Sequence, residues 1–154
     1  MQLTYSVGTI DVYYRIENDD SITITGSHGM DTRLKLPDDI DGKKIARISK
    51  KSFLGINSLK DVSLPGSIEV IEDWAFAHCT HLENLVIRDG VDSSKLTFEK
   101  GVFEGCTDLN TICLGYEEPD DMSYLLGAAV WSLPAAYLLK DPEIGRDSWF
   151  VSFD

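Results

Sequence analysis

Three segments of this chain superpose without a gap, and nothing else in the sequence restricts the fold as strongly: Ser52 to Leu64, Ala75 to Ile87, and Val102 to Leu114. The second residue of each is Phe53, Phe76 or Phe103. Counting onward from that phenylalanine, the sixth residue is Leu59, Leu82 or Leu109, the ninth is Val62, Leu85 or Ile112, and the eleventh is Leu64, Ile87 or Leu114. All of these are apolar. The last two apolar positions lie two residues apart, which is the spacing of one face of a strand. Each unit therefore holds one short strand. A single unit cannot bury its own apolar side, but units stacked at a fixed period lay strand beside strand in a parallel sheet and close one continuous core. The predicted fold is of α+β class, a short right-handed repeat solenoid wound around a parallel sheet.

The leading phenylalanines are spaced by 23 and 27 residues, so one coil carries a four-residue insertion, most simply in Arg88 to Ser94. Insertions of this kind belong in loops. Leu64-Pro65-Gly66-Ser67 ends one strand with a turn, and Ile68-Glu69-Val70-Ile71 leads on toward Trp74-Ala75-Phe76. The phenylalanines are expected to stack as a spine away from the sheet. A degenerate unit comes earlier, where Leu34-Lys35-Leu36-Pro37 matches Val62-Ser63-Leu64-Pro65 and Ile45 and Ile48 lead to Phe53. The solenoid thus covers about residues 32–115, in three to four coils.

These residues carry a resemblance. Leu36-Pro37 followed by Ile45, Ile48 and Ser52-Phe53, with the later Ala75-Phe76-Ala77-His78-Cys79-Thr80-His81-Leu82, resembles the BspA-type (Treponema pallidum-like) leucine-rich repeats of bacterial proteins. Those repeats run approximately as a Leu-Pro pair, an Ile, an Ala-Phe pair, a Cys and a Leu before the strand. The sequence departs from the pattern at Ile56, which replaces the Cys, and at Arg88 and Gly115, which replace the Pro after the second and third strands. The resemblance implies a binding or adhesion module, often secreted or surface-exposed.

A solenoid leaves its terminal coils uncovered, so each end needs a different structure. Residues 1–31 form the first such region. Ile10-Asp11-Val12-Tyr13-Tyr14-Arg15-Ile16 and Ser21-Ile22-Thr23-Ile24-Thr25 alternate about the turn-forming Asn18-Asp19-Asp20 and predict an N-terminal β-hairpin cap. Residues 116–154 form the second, a C-terminal helical cap. There Asp120 or Asp121 can cap a helix carrying Met122, Leu125, Leu126, Ala129, Val130 and Leu133 on one face, and Pro134 suits the start of a second short helix. These helices would cover the last strand. The apolar closing stretch Trp149 to Phe153 either returns to the core or marks a chain that continues.

Charge narrows the choice of partner. Residues 1–60 carry nine cations and eight acidic groups, whereas residues 61–154 carry five and eighteen. An acidic surface repels phosphate backbones, so nucleic acid is not expected as a partner. Lys43, Lys44, Arg47, Lys50, Lys51 and Lys60 form a local exception, readable as an anion site or as the solvated outside of one coil. The second reading is preferred, because Ile45, Ile48 and Phe53 alternate with them and point inward. No stretch approaches the ~20 apolar residues of a membrane span, so membrane insertion is not expected. A start without a basic and apolar leader, together with three cysteines, suggests a cytoplasmic address.

The chemistry-bearing residues point to no reaction. Cys79 and Cys106 share one repeat slot and, on adjacent coils, could come within disulfide reach; buried thiols filling the slot that Ile56 occupies elsewhere are the preferred reading. Cys113, between inward Ile112 and Leu114, is expected to face outward. His78-Cys79-Thr80-His81 lacks a second ligand pair for zinc, and Asp39-Ile40-Asp41-Gly42 lacks the closing glutamate of a calcium loop. No cofactor, metal or catalytic residue is expected. The functional expectation is a non-catalytic module binding a protein or peptide through the solvent face of its sheet, at Asp61, Ser63, Asn84, Val86, Thr111 and Cys113. The alternatives are an N-terminal targeting or regulatory domain of a longer enzyme or regulatory protein, and a cell-surface adhesion module.

Overall fold

A computed structural model of the chain describes residues 3–92, 95–109, 111–114 and 150–152. In order, the strands are β1 (Leu3–Val7), β2 (Ile10–Ile16), β3 (Ile22–Gly29), β4 (Arg33–Lys35), β5 (Asp39–Ile40), β6 (Lys43–Ile48), β7 (Asp61–Leu64), β8 (Val70–Ile71), β9 (Asn84–Ile87), β10 (Thr97–Phe98), β11 (Thr111–Leu114) and β12 (Phe150–Ser152). The apolar pairs of the repeat fall in β7, β9 and β11, which run parallel with Val62 beside Leu85 and Leu85 beside Ile112. The degenerate unit supplies β4, where Leu34 registers with Val62 and Lys35 with Ser63. This is the parallel sheet that the repeat predicts.

A second sheet lies outside that prediction. β6, β8 and β10 pair parallel, with Ile48 beside Ile71 and Ile71 beside Phe98, so each coil contributes two strands joined by a corner. Strands of two residues are too short to leave an alternation pattern in the sequence. The corners are themselves laddered: Phe53 N–H donates to Ala75 O at 2.8 Å, Gly55 N–H to Ala77 O at 2.8 Å and Phe76 N–H to Val102 O at 3.0 Å. Inside them the phenylalanines stack as expected. The ring centroids of Phe53 and Phe76 are 5.1 Å apart with an interplanar angle of 11°, and those of Phe76 and Phe103 are 6.2 Å apart at 15°. One apolar cluster runs without a break from Ile10 to Leu114.

The N-terminal hairpin is present, with two differences. β1 adds a third antiparallel strand, paired to β2 from Leu3 to Val7. β3 then pairs parallel with β6, so these strands continue the second sheet and occupy its otherwise open edge. Asp31 latches the β1–β2 turn to the start of the solenoid: its carboxylate accepts from Thr9 N–H and Thr9 Oγ1, both at 3.1 Å, and from Thr32 N–H at 2.7 Å. These donors, the Thr9 amide foremost, hold the Asp31 carboxyl below its ordinary range.

Asp39-Ile40-Asp41-Gly42 closes the small β5–β6 hairpin. Asp41 and Gly42 have φ of 52° and 79°, which is the two-residue turn that an Asp-Gly pair favours, and Gly42 N–H donates to the Asp39 carboxylate at 3.1 Å. In the insertion, Asp89-Gly90 makes a turn as a loop should. The predicted C-terminal helices fall outside the described residues. The edge of β11 is taken by β12, with Ile112 beside Phe150, so a strand occupies the position for which a helix was expected.

Candidate functional site

Asp61, Asn84 and Thr111 share one register row of the sheet, and Ser63, Val86 and Cys113 share another, as the repeat requires. The side chains of Thr111 and Cys113 lie outside the described residues, and exposure differs among the other four. Ser63 and Val86 are fully buried and Asn84 is 1% exposed, leaving Asp61 half-buried. Val86 is buried yet lies outside the core cluster. Part of the reason is visible at Arg88, which follows β9 and lies back across the strands. Its guanidinium donates to Ser63 Oγ at 2.8 Å, to Leu36 O at 2.6 Å and to the Asp38 carboxylate at 3.0 Å. Asn84 Nδ2 donates to the Asp61 carboxylate at 2.9 Å, tying those two side chains to each other. Alternation in a strand tells which side chains leave the core, but not whether something packs over them.

The corners are where the stacked coils present side chains to water. Two positions before each leading phenylalanine stand Lys51, Trp74 and Gly101, with φ of 60°, 56° and 64°; two positions after it stand Gly55, His78 and Gly105, with φ of 74°, 58° and 76°. Every coil thus turns through the left-handed region twice. Glycine does so freely, whereas a side chain there costs about 1–2 kcal/mol. The middle coil places side chains at both positions. The Trp74 indole lies over Gly101 and the His78 imidazole over Gly105, each so close that a Cβ on the glycine would collide with the ring. Third-coil glycines therefore make room for second-coil rings.

Around Trp74 gather Lys50, Lys51 and Lys100, with ammonium nitrogens 5.2, 5.4 and 5.7 Å from the ring centroid. The structure splits the basic run of the sequence in two. Lys43 pairs with Asp20 at 3.5 Å, Arg47 with Glu72 at 3.6 Å and Lys60 with Glu83 at 3.5 Å, while Lys50 and Lys51 turn to the tryptophan. Beside Trp74 lies a shallow depression of about 260 Å³ with Leu54, Ala77 and His78 on its walls. Leu54 is 43% exposed, among the most exposed of the large apolar side chains described. Sequence reasoning missed Leu54, Trp74 and Lys100. The signal was one step upstream of the motif, in Lys50-Lys51, Asp73-Trp74 and Lys100-Gly101 set in the repeat register.

The thiols Cys79 and Cys106 are buried and unbridged. Each donates to the carbonyl of the leading phenylalanine one coil back, Cys79 Sγ to Phe53 O at 3.2 Å and Cys106 Sγ to Phe76 O at 3.0 Å. His78 and His81 diverge from them: His81 Nδ1 meets Asn57 O at 2.7 Å, and His78 Nε2 lies 3.9 Å from Glu104. Among the described residues no cluster of three or more His, Cys, Asp or Glu could hold a metal. Among the same residues no helix is long and apolar enough to cross a membrane.

The family model described as the BspA type leucine rich repeat region, in six copies, matches residues 33–120, more than half of the chain. The chain belongs to the BspA-type leucine-rich-repeat family. Among solved structures, this BspA-type chain is similar to a leucine rich cell surface protein from Faecalibacterium prausnitzii, with 23% identity and a TM-score of 0.59 over 70% of this chain and 29% of that one. It is also similar to the T. pallidum leucine rich repeat protein, with 29% identity and a TM-score of 0.52 over 66% of this chain and 56% of that one. A leucine-rich repeat protein from Bacteroides capillosus shares 24% identity, with a TM-score of 0.57 over 77% of this chain and 88% of that one. The alignments thus span less than two thirds of the F. prausnitzii and T. pallidum chains. No curated protein matches the sequence.

Proposed function

We propose that this BspA-type repeat chain is a non-catalytic module that binds a protein or peptide, and that it does so through the corners of its coils. The observation that carries the reading is the corner ladder. Hydrogen bonds from coil to coil fix Lys51, Trp74 and His78 in register, and Leu54 N–H turns back to Lys51 O, on a scaffold with a continuous core. Side chains held in rows on rigid backbone present a recognition surface whose ordering cost is already met by folding. The reading moves the contact surface from Ser63, Asn84 and Val86, which are buried, to side chains that reach water. Asp61, partly exposed, stays at the margin of the sheet-face surface first expected.

Site-specific photocrosslinking tests this. A benzophenone amino acid is placed at Leu54 on the corner or at Asp61 on the sheet, and each chain is irradiated in lysate of the source organism. The reading predicts a discrete protein adduct from position 54 and little from position 61. Adducts from 61 alone would return the site to the sheet, and no adduct from either would remove the module reading.

A further inference from the structure

Three lysines converge on one half-buried tryptophan in a chain of formal net charge −12. Among the described residues none of their ammonium groups has a carboxylate partner. Two of the nearby carboxylates, Glu72 and Asp73, are engaged elsewhere, and the third, Glu104, stands on the wall of the depression. Glu72 is held by Arg47 at 3.6 Å and by Lys50 N–H at 3.3 Å, Asp73 accepts from Lys100 N–H at 3.1 Å, and Glu104 faces His78. A cation over a half-buried ring is held by less than a charge-assisted hydrogen bond and is given up to an incoming carboxylate.

The depression beside this cluster has a different character. Leu54, Ala77 and the indole line it together with Lys51, His78 and Glu104, and its volume of about 260 Å³ accommodates one large apolar side chain. Sites for free small molecules generally run to roughly 300–1,000 Å³ and enclose their ligand, so this one is too small and too open. Strained backbone supports the same place. The middle coil keeps side chains at two left-handed positions, and their rings flank this depression, where its neighbour has glycine at both. Strain of this kind concentrates at functional sites.

We infer that this corner is a docking site for an acidic peptide segment, in which one leucine or aromatic side chain enters the depression beside Trp74 and flanking carboxylates pair with Lys50, Lys51 and Lys100. The inference rests on the interaction-module reading and specifies its partner. An apolar anchor ringed by charge suits a peptide and is lacking in a sulfated glycan, which would use the lysines but leave the depression empty. Glu104, at the His78 end, sets the polarity: the acidic flank lies at the lysine end, away from it.

The test selects random twelve-residue peptides displayed on phage against the full chain, with counter-selection on the K50Q/K51Q/K100Q variant. Selected peptides should carry Asp or Glu around a Leu, Phe or Trp. By fluorescence anisotropy they should bind the triple variant at least tenfold more weakly, and weaken several-fold between 50 and 300 mM NaCl. Trp74→Gly, which puts at this position the residue the third coil already has, should keep its circular dichroism spectrum and lose at least fivefold in affinity. Peptides without acidic enrichment, unchanged affinity in either variant, or no selected peptide would each overturn the inference. So would an unlabelled heparin octasaccharide that binds more tightly than the peptides. If lysate adducts form at position 54 in both the parent and the triple variant, the acidic-peptide site is wrong while the module reading stands. If the parent forms none at 54 or at 61, the module reading itself fails.

Discussion

Replacing Phe76 by alanine removes the middle ring of the spine, and the structure gives the size of the effect. The side chain is fully buried and stacked on both sides, with neighbouring centroids at 5.1 and 6.2 Å. Truncating a buried phenylalanine costs about 3–5 kcal/mol. Each aromatic pair adds about 0.5–1.5 kcal/mol beyond the area buried, so a ring with two such neighbours belongs near the top of that range, about 4–5 kcal/mol. Domains of this size have total stabilities of about 5–15 kcal/mol, so the variant loses roughly a quarter of it or more. With a urea slope of about 2 kcal/mol/M, the midpoint falls by roughly 2 M. Coils of a solenoid pack chiefly against their neighbours, so a weakened middle coil also broadens the transition by uncoupling the coils on either side. Phe76→Leu keeps most of the volume and is expected to cost no more than about 1.5 kcal/mol. Urea titration followed by circular dichroism measures both variants. A midpoint shift under 0.5 M for the alanine variant would refute the claim that the spine is a principal support of the stack.

Asp31→Asn should destabilise the chain at neutral pH by on the order of 1 kcal/mol after discounting for solvent. Because the folded carboxyl titrates below its ordinary range, that contribution is complete above the ordinary carboxylate pKa and disappears as pH falls through the lower folded value. Parent and variant melting curves should therefore converge on acidification, and a gap that widens would contradict the latch. Arg88→Ala leaves Ser63 Oγ and Leu36 O without their donor, at a cost of about 2–3 kcal/mol. Arg88→Lys should recover less than half of this in chemical denaturation, since an ammonium cannot span the acceptors the guanidinium fork reaches. Cys79 and Cys106, both fully buried, should resist iodoacetamide in the native chain and react in 6 M urea. Peptide mass mapping that finds either alkylated without urea would show that the coils open.

The strands of the main sheet, the stacked rings and the inward Ile45 and Ile48 were legible because each follows from a periodic apolar position, and burial is the force that periodicity reports. β8 and β10 were not, since two residues carry no period. Asp41-Gly42 was legible as a hairpin turn and was weighed against a calcium loop instead; both positive φ values were implied by the Asp-Gly pair. The site divided along the same line. Alternation assigned Asp61, Ser63, Asn84 and Val86 to the outward side of their strands, yet Arg88, distant from Leu36 and Asp38 in the chain, is what closes over Ser63. Long-range covering of this kind leaves no local signature. The corner cluster lay in plain register, but the meeting of Lys100 with Trp74 depends on the close approach of the indole to Gly101 on the next coil.

The most direct test of the corner as the contact surface is the Trp74 indole N–H signal in a ¹⁵N-labelled chain, assigned by its loss in Trp74→Phe. On titration with a partner recovered by crosslinking or an acidic peptide recovered by selection, that signal should shift while the backbone amides of Ser63 and Val86 stay in place. A stationary Trp74 signal with shifts along β7 and β9 would contradict the account and return the contact surface to the sheet.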